Sequence, residues 1–256
     1  MAKQTNSRRY LFQADATGVA GQIVHPFEDD IPVQAASSLT VGGGSGSSSV
    51  GRFEYKNILS FDSAQTEVWG REVADGVYET IAQSVVLNFK LLDFVQCDRI
   101  VGRLIGTHPV PGENSIVPTG SVFEGLRIGH RVFDKLEVTQ EFFIAREHST
   151  WSGLVGAVEH DGERRLLESL LLPVPNSDPV SLLIRGQRTN LLGFSIAAGV
   201  PPSFTVPDFG TVHLGEFFCE PTSRRLIMLR AELDGAVQGQ VVVGDPIVDG
   251  RPFPPD

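Results

Sequence analysis

Glycine and proline punctuate this chain from one end to the other. Twenty-seven glycines and sixteen prolines are spread over 256 residues. Both residues break helices and mark turns, so few long helices fit between them. The intervening segments alternate apolar and polar side chains, which is the period of a half-buried strand. The pattern predicts an all-β fold, an antiparallel β-sandwich or barrel with at most one short helix. Sixteen phenylalanines against three tyrosines and two tryptophans suit it, because a ring without a polar tip belongs in the core between sheets.

Individual strands can be read from the alternation. Leu11–Val24 is long, with small residues at Gly18 and Gly21 that suggest a kink or a close sheet contact. Glu54–Phe61 and Ala64–Glu72 read as a pair. Thr80–Leu92 alternates less cleanly, as a strand buried on both faces does, and Val95–Gly106 follows it. Leu126–Val138 and Gln140–Glu147 come next. The clearest signal is a hairpin: Thr211–Glu220 and Leu226–Leu233 flank the turn Pro221-Thr222-Ser223. In its second arm Ile227, Leu229, Ala231 and Leu233 face one way and Arg230 and Glu232 the other. Gly239–Gly244 adds a closing strand. Helical spacing is confined to Gly162–Leu172, stopped by Pro173, where a bent strand is the alternative.

The chain reads as a single β-rich domain over 1–256, with a two-lobed division near 150–160 as the alternative. The stretch Val41–Gly51, VGGGSGSSSVG, is expected to be a flexible loop inside that domain. It lacks the lysine of a phosphate-binding loop, its glycines miss the dinucleotide spacing, and a nucleophile elbow fails at Ser47. Residues 107–120 hold three prolines and two glycines and are expected to form an irregular loop.

Thirty-one acidic against twenty-one basic residues give a net charge of −10. An acidic chain repels a phosphate backbone, and the basic residues cluster only as Arg8-Arg9, Arg164-Arg165 and Arg224-Arg225. No nucleic-acid partner is expected. No apolar run approaches a membrane helix. The first residues carry basic side chains without a following apolar run, so no signal peptide is expected and the default compartment is cytoplasmic. Cys97 and Cys219 are the only cysteines. They could pair, but inert buried thiols are the expectation.

Candidate chemistry is sparse. Glu28, Asp29 and Asp30 beside His25 are oxygen ligands of the kind that hold calcium, but without the ordered spacing of a calcium loop. The expected metal and cofactor content is therefore none. In EFFIAREHSTW, Glu141, Glu147 and His148 bring carboxylates and an imidazole together, the groups used in general acid–base chemistry. Neighbouring Glu147 and His148 point apart on a strand. His130, between two arginines in RIGHRVFDK, is a further acid–base candidate.

Several of these segments carry a resemblance. ADATGVAG, the Thr80–Ile105 pair, GLRIGHRV, GTVHLGEFF, RLIMLRAEL and GQVVVGDPIV resemble, in order and type, the choice-of-anchor P type of bacterial β-rich protein. The resemblance implies a β-rich fold with no assigned biochemical role, and no catalytic residue to carry over. Its members bear a leader and a surface anchor, neither of which this sequence displays. Two functional expectations follow. The first is a non-catalytic binding or self-assembling structural protein, a homo-oligomer or a binder of a protein or small-molecule ligand. The alternative is a small-molecule enzyme (isomerase, cyclase or hydrolase) with an acid–base site in a barrel mouth.

Overall fold

In the computed structural model the described residues are 9–138, 149–159, 189–191 and 203–253. The chain enters through a long strand, β1 (Arg9–His25), and returns through β2 (Asp29–Ser38). It then leaves to build a second sheet from β3 (Gly44–Val50), β4 (Phe53–Tyr55), β5 (Leu59–Phe61), β6 (Ser63–Ala74), β7 (Val77–Leu91), β8 (Val95–Pro109), β9 (Ser115–Val117), β10 (Val122–Ile128) and β11 (Arg131–Glu137). After a short helix, α1 (Trp151–Glu159), come β12 (Thr189–Leu191), β13 (Ser203–Val206), β14 (Gly210–Cys219), β15 (Arg224–Asp234) and β16 (Gln238–Phe253). These last strands rejoin β1, giving sheet A the order β12-β14-β15-β16-β1-β2, with β13 also on β14. Sheet B runs β11-β10-β8-β7-β5-β4, with β6 beside β7, β3 outside β6, and β9 beside β8. Strands β1, β15 and β16 pack across β6, β7 and β8, so the fold is all-β and sandwich-like, with antiparallel sheets face to face.

The interior is apolar and filled. Phe61, Phe89 and Phe123 from sheet B meet Phe217, Met228 and Leu229 from sheet A, all at most 1% exposed. Each such side chain stabilises the fold by about 1.5–3 kcal/mol relative to exposure. Helix α1 is capped by Thr150, whose Oγ1 accepts the amide N–H of Gly153 at 3.1 Å. Glu113 accepts the amide N–H of Ser152 at 2.7 Å and its hydroxyl as well. Leu154 projects from the helix into the common core.

The structure corrects several expectations. Residues 44–50 of the glycine–serine stretch form strand β3, paired with β6 from Gly44 opposite Gly70 to Val50 opposite Ala64. A ladder needs backbone groups rather than a side-chain pattern, so a strand whose one apolar side chain is Val50 is invisible to alternation. The glycines here are spatial requirements. The ring of Phe12 lies 2.5 Å from where a Cβ on Gly70 would stand and 2.9 Å from one on Gly43. Within 107–120, β8 extends to Pro109 and Ser115–Val117 pairs with β8, leaving only the rest irregular. Leu126–Val138 is two strands, turned at Gly129-His130. Glu54–Phe61 folds on itself as β4 and β5, while β6 pairs with β3 and β7. The helix lies at 151–159, and the helical reading of 162–172 falls outside the described residues. Both cysteines are free and buried. Burial pushes the thiols up, to about 12 at Cys97 and about 11 at Cys219.

Each sheet carries a transverse crease. In β1 the core side chains are Ala14 and Ala16, then Val19 and Ile23, so the inward face slips by one residue at Gly18. The same slip occurs in β16 between Val243 and Val248, in β14 between Leu214 and Phe217, and in β15 between Met228 and Leu229. The registers bring Ala35, Gly18, Gly244, Met228 and Gly215 into one line across five strands. Ala35, Gly244 and Gly215 are left-handed, with φ of 54°, 66° and 64°. A bulge on one strand normally shifts its register against the neighbour. Here neighbouring strands slip together, and pairing resumes in register on the far side. Sheet B repeats the device along Asp62, Asn88, Asp98 and Gly125. The inward set changes from Val86 to Phe89 in β7, from Cys97 to Ile100 in β8 and from Phe123 to Leu126 in β10. Asn88 and Gly125 are left-handed there, with φ of 53° and 63°.

Candidate functional site

The two creases differ in chemistry. That of sheet A is buried: Gly18, Gly244 and Met228 face sheet B, Gly215 is buried, and Gly102 comes so close that an added Cβ would stand 2.8 Å from the Met228 side chain. That of sheet B opens outward, with Asp62, Asn88 and Asp98 exposed. A slip sets consecutive residues on one face, whereas a regular strand shows only every second one. Asp98 and Arg99 therefore both project outward. Asn88 donates its amide to Asp62 Oδ2 at 2.7 Å. The Asp98 carboxylate lies over Gly125, with Oδ2 2.1 Å from the point a Cβ would occupy, so only glycine fits opposite it.

Beside this acidic row runs a second one. Ser60 pairs with Lys90, Lys90 with Gln96, and Gln96 with Arg127, across four strands. Together with Arg52, the two rows line a depression of about 370 Å³ floored by Phe61, Phe89 and Cys97. The Cys97 thiol donates to the carbonyl oxygens of Glu124 and Arg99, at 3.2 and 3.3 Å. One row further out, Arg99 pairs with Glu124 at 3.0 Å. Sequence reading missed this site because its residues converge only through strand register.

The candidates from sequence do not come together. His130 is exposed at the β10–β11 turn, on the rim of a depression of about 630 Å³ that also holds Asp93, Phe94, Arg131 and Phe204. Asp29 accepts the Tyr55 hydroxyl at 2.7 Å and Lys56 Nζ at 2.6 Å, and Lys56 chiefly holds its carboxyl below the usual range. Glu28 and Asp30 are exposed. Among the described residues, no three histidine, cysteine or acidic side chains converge as a metal-ligand set. Glu141, Glu147 and His148 lie outside the described residues.

Two further polar groupings are buried. On sheet A, Glu216 is held by Arg230 through two bonds of 2.5 and 2.7 Å, and Arg230 also reaches Glu232. His213 stands 3.6 Å from Glu232, and burial, then Arg230, lowers its pKa. Near one end of the sandwich His108 is fully buried beside Tyr10, with ring centroids 5.0 Å apart. Tyr78 stacks on Tyr10 at 4.7 Å. Asn114, next to His108, donates to the Gly250 carbonyl at 3.0 Å. Burial lowers the His108 pKa from 6.5 to about 4, against smaller opposing pulls from the Asn114 side chain and then the Asp249 charge.

That shift has a measurable consequence. A depressed histidine contributes stability that is complete above the unfolded value and lost as pH falls through the folded one. The fold should therefore weaken between pH 6.5 and about 4 by roughly 3 kcal/mol. Denaturant titrations at several pH values should show this slope flattened in His108→Phe. An unchanged slope would move the acid sensitivity to other groups.

Among the described residues no helix is long and apolar enough to cross a membrane. Neither a curated protein nor a solved structure matches the chain. Residues 10–151 match the profile of a family described as a domain of unknown function, DUF8256. The matched span runs from β1 to the first residue of α1, taking in β2, all of sheet B and its crease. It covers more than half of the chain, and the protein belongs to that family.

Proposed function

We propose that this is a non-catalytic β-rich protein that works by binding and self-assembly through its surface. The observation that carries the reading is the edge formed by β3. Sheet edges are normally blunted by charge, proline, bulges or brevity. Strand β2 carries Pro32 and a register shift against β1. Strand β11 carries Arg131, Asp134, Lys135 and Glu137. Strands β12 and β13 are three and four residues long. Strand β3, GSGSSSV, has seven residues, neither charge nor proline, and a partner on one side alone among the described strands. Two copies related by a twofold axis at Ser47 would pair serine with serine, Gly46 with Ser48 and Gly44 with Val50, with no charge to repel, and join their B sheets.

The filled core supports the same reading. The depressions described lie outside it, and the described acid–base candidates do not converge. Sedimentation across a range of concentrations should show reversible dimerisation. Ser47→Lys with Ser49→Lys, both at exposed positions, should leave the melting temperature nearly unchanged and give a monomer, because the pairing sets lysine against lysine. A wild-type protein that stays monomeric at the highest concentration would overturn the self-assembly reading.

A further inference from the structure

The crease depression on sheet B lies on β5, β7, β8 and β10, apart from the β3 edge, and its chemistry points to a ligand. We propose that it binds a small hydroxylated carboxylate, of the kind found as a uronic acid unit in acidic saccharides.

Three observations converge on this. First, the crease itself does not require polar residues. Sheet A builds the same device from Ala35, Gly18, Gly244, Met228 and Gly215, while sheet B places Asp62, Asn88 and Asp98 at the equivalent positions. The architecture explains the slip but not these side chains.

Second, the site holds three cations. Arg99, Arg225 and Arg230 each have a carboxylate partner, at 3.0, 2.6 and 2.5 Å. Among the described residues Arg52, Lys90 and Arg127 have none, although the chain carries a net charge of −10. Lys90 and Arg127 stand on either side of Gln96 in one row. That is an arrangement for two cations to share one anionic group, with the Gln96 amide donating between them.

Third, the signs are mixed. Asp62 and Asp98 flank the cations and repel a polyphosphate, yet they are good acceptors for hydroxyl donors. Asn88, Gln96 and Ser60 both donate and accept. The lining is polar and the depression, at about 370 Å³, falls within the range of small-ligand sites, which runs from about 300 to 1,000 Å³. A ligand that satisfies this lining has one carboxylate for Lys90, Arg127 and Arg52. Its hydroxyls face Asp62, Asp98 and Asn88. A neutral sugar leaves the cations unused, and a simple carboxylic acid leaves the aspartates unused.

The test is titration of the intact protein with digalacturonate, followed by calorimetry and by amide resonances of residues 88–98 and 125–127. Galactobiose serves as the neutral probe and acetate as the acid without hydroxyls. Saturable binding of digalacturonate, with at least tenfold weaker binding of both other probes, is the expected result. Lys90→Ala with Arg127→Ala should weaken binding by roughly tenfold or more, as loss of charged hydrogen bonds does. Asp98→Asn should weaken it as well, and all variants should keep the wild-type melting temperature because the altered side chains are exposed. Absence of saturable binding overturns the proposal, and so does equal affinity for galactobiose. Because the β3 edge is untouched by these variants, failure here leaves the dimerisation measurement independent, and the reverse holds.

Discussion

Gly244→Val should destabilise the protein by about 3 kcal/mol or more. Two costs add. The backbone at Gly244 is left-handed, with φ of 66°, a region that a β-branched residue enters only with strain. A Cβ there would also stand 3.1 Å from the Met228 side chain and 3.5 Å from Ile100 across the sandwich, so further methyl groups force the sheets apart. Gly244→Ala carries the conformational cost with little of the steric one and should fall between. Gly42 is the internal control, because a Cβ there meets nothing within 4 Å; Gly42→Val should stay within about 0.5 kcal/mol of wild type. Urea denaturation of the three variants gives the ranking. If Gly244→Val proves as mild as Gly42→Val, the slip along β16 does not need glycine, and the account of the crease is wrong.

The second large effect comes from Arg230→Met, expected to cost about 3–5 kcal/mol. The Glu216 side chain is only 2% exposed, and Arg230 meets it with two bonds. Removing the guanidinium strands a buried carboxylate, whose desolvation is then uncompensated. Replacing both residues, as Glu216→Leu with Arg230→Met, removes the charge together with its partner and should recover most of the loss. A double variant as unstable as the single one would show that the pair contributes through packing rather than through charge compensation.

Much of the strand content is legible in the sequence, and the reasons for the exceptions are physical. The hairpin of β14 and β15 stands out because a proline turn separates two runs of apolar residues. Its face assignment holds only from Leu229 onward: Leu226 and Met228 are the inward residues before it, and Ile227 lies outside the core cluster. Two-residue periodicity assumes one unbroken pleat, and a single left-handed neighbour shifts it. The uneven alternation of Thr80–Leu92 has two origins: Thr80, Ile81 and Ala82 are buried in succession, so both faces are covered there, and a slip at Asn88 shifts the inward set further on. The turn at Gly129-His130 did carry a local mark, since glycine leading a two-residue loop suits the hairpin twist, and Gly129 is left-handed at 56°. The crease depression carried none. Ser60, Lys90, Gln96 and Arg127 become neighbours only when four strands settle in register.

The pairing of β1 with β16 sets an order on folding. Arg9 lies opposite Phe253, and β1 is held between β2 and β16 for most of its length. As the polypeptide is synthesised, β1 and β2 emerge first, and the local hairpins of sheet B can close while they wait. One flank of β1 stays bare until the last strand arrives, more than two hundred residues later. Closing so distant a contact is entropically slow. The nascent protein therefore spends its longest interval with sheet A half built, which is the interval in which a chaperone would find it.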